Sequence, residues 1–385
     1  MNEIVVAQLM NSDLRPYRVP FLRRLSETEP GLSLTLYVGQ APSGYGAPEE
    51  PPKDVPVRVK SIRNYFWPFG GHRVAWQAGA LSILASPAQV IICPEVAHNL
   101  TVWVIRVLHR RFGKSLILTG FFTRTSGTGL LGRSRGVMLR WLRKSASTVI
   151  AYTESGRRAL LNQGWPPART FVSQNTVDTE MLEKLSAAVS DQEADDLRAR
   201  LGVGPGRVLL FIGKLIHEKH LDVAIRALRQ MVQPPTLVVV GDGPERQNLE
   251  KLAEGLPVVF VGAIYDETVL ATYLAVADFL VLPGRVGLTC VHGFAAGRPC
   301  VTTDPRSTTQ TPEFEYVEHG HNAIVVRDLD PTDHATAFAR LLEDPDLLSR
   351  LRSGARETAK QLRMSSMVSA YAAAIRVAAT SDPPG

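Results

Sequence analysis

Short apolar, β-branched runs alternate along the chain with amphipathic stretches at helical spacing, the pattern of βαβ units wound around parallel sheets. In the first half the runs predict strands over 4–9, 32–38, 55–59, 89–93, 115–119 and 148–152. Helical spacing falls between them, around 20–26, 74–84, 100–110, 136–144 and 155–163. Residues 41–53, rich in Pro, Gly and Glu, read as a surface loop. A charged, helix-forming stretch from Asp178 to Leu201 ends at the breaker Gly202-Val203-Gly204-Pro205-Gly206, which places a linker there. The second half restarts the pattern, with buried strands expected over 207–213, 236–241, 258–262, 279–282 and 300–303. Helices are expected over 220–231, 244–255, 267–277, 289–296, 332–343 and 345–361. A last helix, 365–379, carries Met367, Val368, Tyr371 and Ile375 on an apolar face with no neighbour in its own domain. The expected architecture is α/β: two Rossmann-like, doubly wound domains, 1–200 and 201–364, and a C-terminal helix within 365–385 that crosses back to the first.

Composition narrows the class. With 385 residues, 45% apolar and 21% charged, the chain is neither disordered nor fibrous. No apolar run approaches the ~18 residues of a membrane span, and Met1–Val6 lacks the basic region of a signal peptide. Cys93, Cys290 and Cys300 have no metal-ligand spacing, so a reducing cytoplasm is the expected setting. The net charge of +6 is unevenly spread: residues 1–190 hold 23 Lys and Arg against 12 Asp and Glu, the rest 20 against 25. No nucleic-acid motif accompanies the basic half. An anionic membrane surface, with the protein peripheral on the inner face, or a phosphorylated acceptor explains it at least as well as nucleic acid does. The segment Leu130–Lys144 mixes apolar and basic residues as interfacial helices do, and as a core-facing helix with a solvated basic face also does.

Three strand-end elements of the second half carry candidate chemistry. In Phe211-Ile212-Gly213-Lys214-Leu215-Ile216-His217-Glu218-Lys219, a strand ends in Gly and two lysines follow five residues apart, suited to phosphate. In Val240-Gly241-Asp242-Gly243-Pro244, a strand runs through Gly-x-Gly into a helix, where main-chain N–H groups would seat an anion. This is not the dinucleotide fingerprint, because Arg246 stands in place of the third Gly. In Leu282-Pro283-Gly284-Arg285-Val286-Gly287-Leu288-Thr289, a Gly-containing loop opens a small-residue helix bearing His292. Asp328-Leu329-Asp330 reads as a polar turn, and no metal site is expected there.

In order and spacing these elements, with 301–313 and the turn-strand 320–326, resemble the donor-binding domain of the retaining glycosyltransferases of family 4, which have the GT-B fold. The family's Gly-Arg…Lys-Gly, Gly-x-Gly-Pro and Glu-x7-Glu elements correspond here to Gly213-Lys214…Lys219-His220, Gly241-Asp242-Gly243-Pro244 and Gly284…His292. The resemblance runs from Arg207 to Ala374 and is thinner in the first half, around Val149–Glu154 and Val172–Asp178 with Asn175. It implies a nucleoside-diphosphate-sugar co-substrate, no cofactor and no metal. It also implies a hydroxyl acceptor, whether glycan, lipid-linked saccharide or small molecule, on the first domain. Lys214 and Lys219 would stabilise the departing phosphate. Gly213, Gly241, Gly243, Ile264, Gly284, Arg285, Val286, Gly287, Leu288 and His292 would bind donor, with Arg18, His98 and Phe121 as acceptor-side candidates. The departures are Lys214 for Arg, Gly284 and His292 for the two glutamates, and Gly120-Phe121-Phe122 where the family usually carries a His. They keep alive a catalytically retired scaffold and a sugar-nucleotide epimerase.

Overall fold

The computed structural model describes residues 3–10, 14–40, 54–69, 72–122, 130–204 and 206–380; the expected loop 41–53 lies outside them. The chain divides into two units, one formed by Met1–Asn175 with Ser365–Gly385, the other by Thr176–Met364.

In the first unit, strands β1 (Ile4–Leu9), β2 (Leu32–Gly39) and β3 (Arg58–Ile62) are followed by a hairpin, β4 (Asn64–Phe69) and β5 (His72–Gln77), then by β6 (Val90–Pro94), β7 (Ser115–Gly120), β8 (Thr148–Ala151) and β9 (Thr170–Val172). Helices α1 (Val19–Thr28), α2 (Ala80–Leu84), α3 (Leu100–Leu108), α4 (Leu130–Arg143) and α5 (Glu154–Leu161) lie between them. The seven-stranded sheet has order β3-β2-β1-β6-β7-β8-β9 and is parallel throughout. Its core strands are apolar on both faces, as a sheet covered by helices requires: β7 is buried at every position.

The second unit opens with α6 (Thr179–Ala188) and α7 (Asp191–Arg200). β10 (Val208–Ile212), α8 (Leu221–Arg229), β11 (Thr236–Val240), α9 (Arg246–Leu252), β12 (Val258–Gly262), α10 (Glu267–Val276) and β13 (Phe279–Leu282) follow. It continues with α11 (Thr289–Ala295), β14 (Cys300–Thr303), β15 (Ala323–Val326), α12 (Pro331–Glu343) and α13 (Pro345–Gln361). The six strands run β12-β11-β10-β13-β14-β15, again parallel. The last helix, α14 (Met364–Thr380), belongs to the first unit from Ser365 onward. There Tyr371 meets Phe21 edge-on at 4.9 Å, the Thr148 hydroxyl donates to the Ala374 carbonyl at 3.4 Å, and Arg376 pairs with Glu29.

Three expectations are corrected. The boundary falls after Asn175, not near 200, because α6 packs on α10, α11 and α13 while the Thr176 and Thr179 hydroxyls both donate to the Leu362 carbonyl, at 2.7 and 3.3 Å. The strand expected over 55–59 is shifted to Arg58–Ile62, where it pairs with β2. The helix expected over 74–84 is instead β5 followed by the single turn of α2. Residues 74–77 take β4 as their partner, in the register Val74↔Trp67 and Gln77↔Asn64, so tertiary pairing overrides a helical spacing.

Candidate donor site

Strand order reverses between β10 and β13 in the second unit, and in doubly wound sheets ligands bind at the carboxyl ends flanking such a switch. The loops leaving those two strands hold the Lys214–Lys219 and Gly284–Leu288 segments, and the structure joins them directly. The amides of Gly284 and Arg285 donate to the carbonyls of Lys219 and Glu218, at 3.0 and 3.1 Å. The Lys219 ammonium donates to the Arg285 carbonyl at 2.6 Å. Cβ atoms built on Gly213 and Gly287 would lie 3.7 and 3.4 Å from that Nζ, so the cation sits between the end of β10 and the loop after β13. Burial lowers the Lys219 pKa to about 8, with Cys290 and Glu313 opposing the shift and Arg285 adding to it. An ammonium has three donors, and the Arg285 carbonyl takes one. Arg285 itself faces Glu218 across 3.9 Å.

The glycines after β11 have a packing role. A Cβ on Gly241 would stand 1.8 Å from the Gly213 carbonyl oxygen, and one on Gly243 2.4 Å from that of Leu215. Both therefore let two backbones touch. Their amides are also engaged, Gly241 to the Gly262 carbonyl at 2.8 Å and Gly243 to the Asp242 carboxylate at 2.7 Å. Nor does Pro244 open the helix: α9 begins at Arg246, after a turn in which Glu245 donates to the Leu215 carbonyl. At the expected anion seat, Gly241–Pro244, these two amides thus have partners within the protein.

The same holds for part of the loop after β13. The Val286 amide donates to the Gln310 side chain at 3.1 Å, and the Gly287 amide to the Thr311 hydroxyl at 2.9 Å. Gln310 also donates to the Gly284 carbonyl at 2.9 Å. These residues brace the loop, and sequence reasoning missed them; the only signal was a polar run, Thr308–Thr311, beyond a strand end. Gly284 is there because a Cβ would lie 2.3 Å from the Glu218 carbonyl oxygen.

His292, on α11, is half-buried. Its Nδ1 lies 2.9 Å from the Leu288 carbonyl, which can only accept, so Nδ1 carries the proton. Burial lowers its pKa, with the Leu288 bond opposing. The neutral ring then keeps Nε2 as an acceptor, the polarity a carboxylate would offer a hydroxyl. Ile264 lies past the end of β12, at the far edge of the sheet, partly buried against the core. Asp330 caps α12 and Asp328 accepts from Ser307, so the Asp-Leu-Asp run serves the local turn.

On the first unit the order reverses between β1 and β6. Arg18 follows β1 and lines a small cavity with Gln8, Met10, Leu14 and Leu36. Burial works against its charge, but Tyr17, Tyr152 and Tyr371 around it raise its pKa. His98 follows β6, its carbonyl accepting from the Ala75 amide at 2.8 Å. Phe121 follows β7, where a Cβ on Gly156 would lie 2.6 Å from its carbonyl oxygen. A separate cleft of about 500 Å³ lies between α8 and α9, lined by His217, Asp222 and Arg226, and includes none of the expected donor residues.

Residues 206–344 match the family described as "Glycosyl transferases group 1". The chain is 26% identical over 249 residues to an alpha-D-kanosaminyltransferase of Streptomyces kanamyceticus, covering 59% of this chain and 60% of that protein. It is 37% identical over 109 residues to a GDP-mannose-dependent alpha-(1-6)-phosphatidylinositol dimannoside mannosyltransferase of Mycobacterium tuberculosis, covering 27% of this chain and 29% of the relative. Both matches thus span less than two thirds of the relatives' own lengths. Among solved structures, Anabaena HepE in complex with UDP superposes with a TM-score of 0.71 at 18% identity, covering 96% of this chain and 98% of that one. The chain has the GT-B fold, and residues 206–344 of its second unit are similar to the group 1 glycosyltransferases.

Proposed function

We propose that the protein transfers a glycosyl residue from a nucleoside-diphosphate sugar to a hydroxyl acceptor, with the anomeric configuration retained. The second unit takes the donor and the first takes the acceptor. The observation that carries this reading is the Lys219 ammonium, held by the Arg285 carbonyl between Gly213 and the loop after β13, at the switch point of a domain similar to the group 1 glycosyltransferases. The relatives named as sugar transferases and the neighbour solved with UDP support it.

In the reaction the acceptor oxygen bonds to the anomeric carbon and gives up its proton, while the carbon–phosphate oxygen bond breaks and the nucleoside diphosphate leaves with the electron pair. Negative charge grows on that phosphate. A cation fixed beforehand, with Lys214 on the same loop, stabilises it without reorganisation. His292 Nε2 accepts from a donor hydroxyl where the family has a glutamate. No metal takes part in this scheme.

The test is incubation of the full chain with UDP-, GDP- and TDP-sugars, with and without saccharide and lipid-linked acceptors. Acceptor-dependent release of nucleoside diphosphate, with a new glycoside of retained configuration, is expected. Isomerised donor in the absence of acceptor would make the protein an epimerase, and binding without turnover would make it a retired scaffold.

A further inference from the structure

The amino end of the second unit's sheet, opposite its donor loops, gathers more arginines than it has carboxylates to pair them. Arg207 and Asp278 stand immediately before β10 and β13, and Arg298 two residues before β14. Arg352 and Arg356, one turn apart on α13, complete the group. Asp278 is already committed: its Oδ1 accepts from Arg207 at 3.1 Å and from Arg352 at 3.3 Å, and its Oδ2 from the Val208 amide at 3.0 Å. The guanidinium groups act on one another. Burial, Arg352 and Arg356 lower the Arg298 pKa to about 10, with Asp278 opposing. Burial, Arg207 and Arg356 lower that of Arg352, again against Asp278.

Their donors outnumber the acceptors as well. A guanidinium has five N–H donors. Arg298 turns Nη2 to the Ala275 carbonyl at 2.7 Å, and its Nε is buried with no acceptor. Arg352 turns Nη2 to Asp278, and its Nε too is buried with no acceptor. Arg356 is exposed and makes no hydrogen bond or ion pair among the described residues. Its guanidinium lies against Gly297, where a Cβ would come 2.7 Å from Nε. Gly297 has φ +66°, the left-handed turn that follows α11, so the residue this turn favours also leaves the guanidinium its place. Folding gives little reason for this arrangement: like charges one helical turn apart repel, and buried N–H groups without acceptors cost stability. An oxyanion supplies both the missing negative charge and the missing acceptors, and planar guanidinium forks suit it better than ammonium groups would.

We propose that Arg298, Arg352 and Arg356 bind a phosphoryl dianion, either inorganic phosphate or the phosphate of a monoester, at the amino end of this sheet. The site is separate from the donor loops, which leave the carboxyl ends of β10 and β13, and it stands or falls independently of the glycosyltransferase reading. A carboxylate would bring one negative charge and two oxygens to a group of four cations that has Asp278 alone. A phosphoryl dianion brings nearly two charges and three strong acceptor oxygens.

The experiment is titration calorimetry of the full chain with inorganic phosphate and with glycerol 3-phosphate, on wild type, Lys219→Met, Arg356→Ala and Arg356→Lys. Wild type and Lys219→Met should both bind. Arg356→Ala should bind roughly tenfold or more weakly, as loss of a charge-assisted contact requires, and Arg356→Lys should fall between, because it keeps the charge without the fork. Sedimentation with phosphatidic acid and with phosphatidylcholine vesicles separates the sources. Retention on phosphatidic acid alone, lost in Arg356→Ala and unaccompanied by binding of either soluble phosphate, makes the phosphate that of a lipid. Binding that disappears in Lys219→Met and is untouched in Arg356→Ala would put the anion at the donor loops and overturn the site. So would the absence both of soluble phosphate binding and of Arg356-dependent retention. Without phosphate, Arg356→Ala should melt no lower than wild type, since it removes a repelling charge. A much lower melting temperature would make Arg356 a packing residue, and that too overturns the site.

Discussion

Lys219 is the residue on which the donor reading turns, and its burial gives it a testable pH signature. Because its pKa is lowered from 10.5 to about 8, the ammonium is charged at pH 7 and largely neutral at pH 9. Nucleoside diphosphate affinity should therefore fall as pH rises through about 8, and titration calorimetry of wild type against Lys219→Met checks it. The variant should bind roughly tenfold or more weakly at pH 7, as loss of one charge-assisted bond of ~1.5–3 kcal/mol requires, and its affinity should lack that inflection. Stability runs the other way. Between about 8 and 10.5 the unfolded chain holds more protons at this group than the folded one, so its contribution to stability rises with pH in that window. Gly284 gives a second residue-level prediction. Since a Cβ there meets the Glu218 carbonyl oxygen at 2.3 Å, Gly284→Ala should displace the segment carrying Lys219 and weaken nucleoside diphosphate binding. Gly284→Glu should do the same, beyond any effect on sugar choice; unchanged binding in both would show that the two loops yield freely. The place of Lys219 beside Gly213 was legible because a cation after a strand-end Gly is a local pattern. Gln310 and Thr311 were not, since bracing a loop 24 residues away leaves no local trace.

At the scale of elements, the buried parallel strands of the second unit could be read almost to the residue, because a run such as Phe279–Leu282 has few alternatives. The hairpin could not: the spacing of Trp76, Ala80, Ile83 and Leu84 fits one helical face as well as it fits β5 and α2, and only pairing with β4 decides between them. The α3–α4 surface lies between these cases. Leu139, Leu142 and Arg143 are buried, as a core-facing helix requires, with Arg143 paired to Glu95. Yet Val107 on α3 and Val137, Met138 and Trp141 on α4 are exposed. Trp141 stacks on Trp103 at 5.6 Å, under the Arg106 guanidinium 3.2 Å from its ring centroid. The sequence has no carboxylate between Glu95 and Glu154, and no helix among the described residues is long and apolar enough to cross a membrane. We propose that this face rests on an anionic lipid surface, where each basic group contributes ~1 kcal/mol. In vesicle sedimentation, phosphatidylglycerol should retain the protein more than phosphatidylcholine does. Added salt should weaken the binding, and Val137→Ser with Trp141→Ser should weaken it further. Equal retention on both lipids, or none on either, would leave a solvated basic face.

For the whole molecule, the informative segment is the one that leaves the second unit and joins the first. A helix with apolar positions and no neighbour in its own domain was legible as a crossing element, since Met367, Val368, Tyr371 and Ile375 had to be covered somewhere. All four are at most 4% exposed, in a helix grouped with the first unit from Ser365. At ~1.5–3 kcal/mol for each large apolar side chain, their burial is comparable to the ~5–15 kcal/mol net stability of a whole domain. The lost edge contact between Phe21 and Tyr371 and the lost pair between Glu29 and Arg376 add to the deficit. A chain ending at Met364 should therefore lose the cooperative melting of the first unit. The second unit, whose core draws on none of these residues, should keep a transition that UDP or GDP raises. Differential scanning calorimetry with and without nucleotide separates the two. A shortened chain that melts like the full one would show that the first unit is stable without α14. Loss of both transitions would show that the second unit, too, depends on the helix.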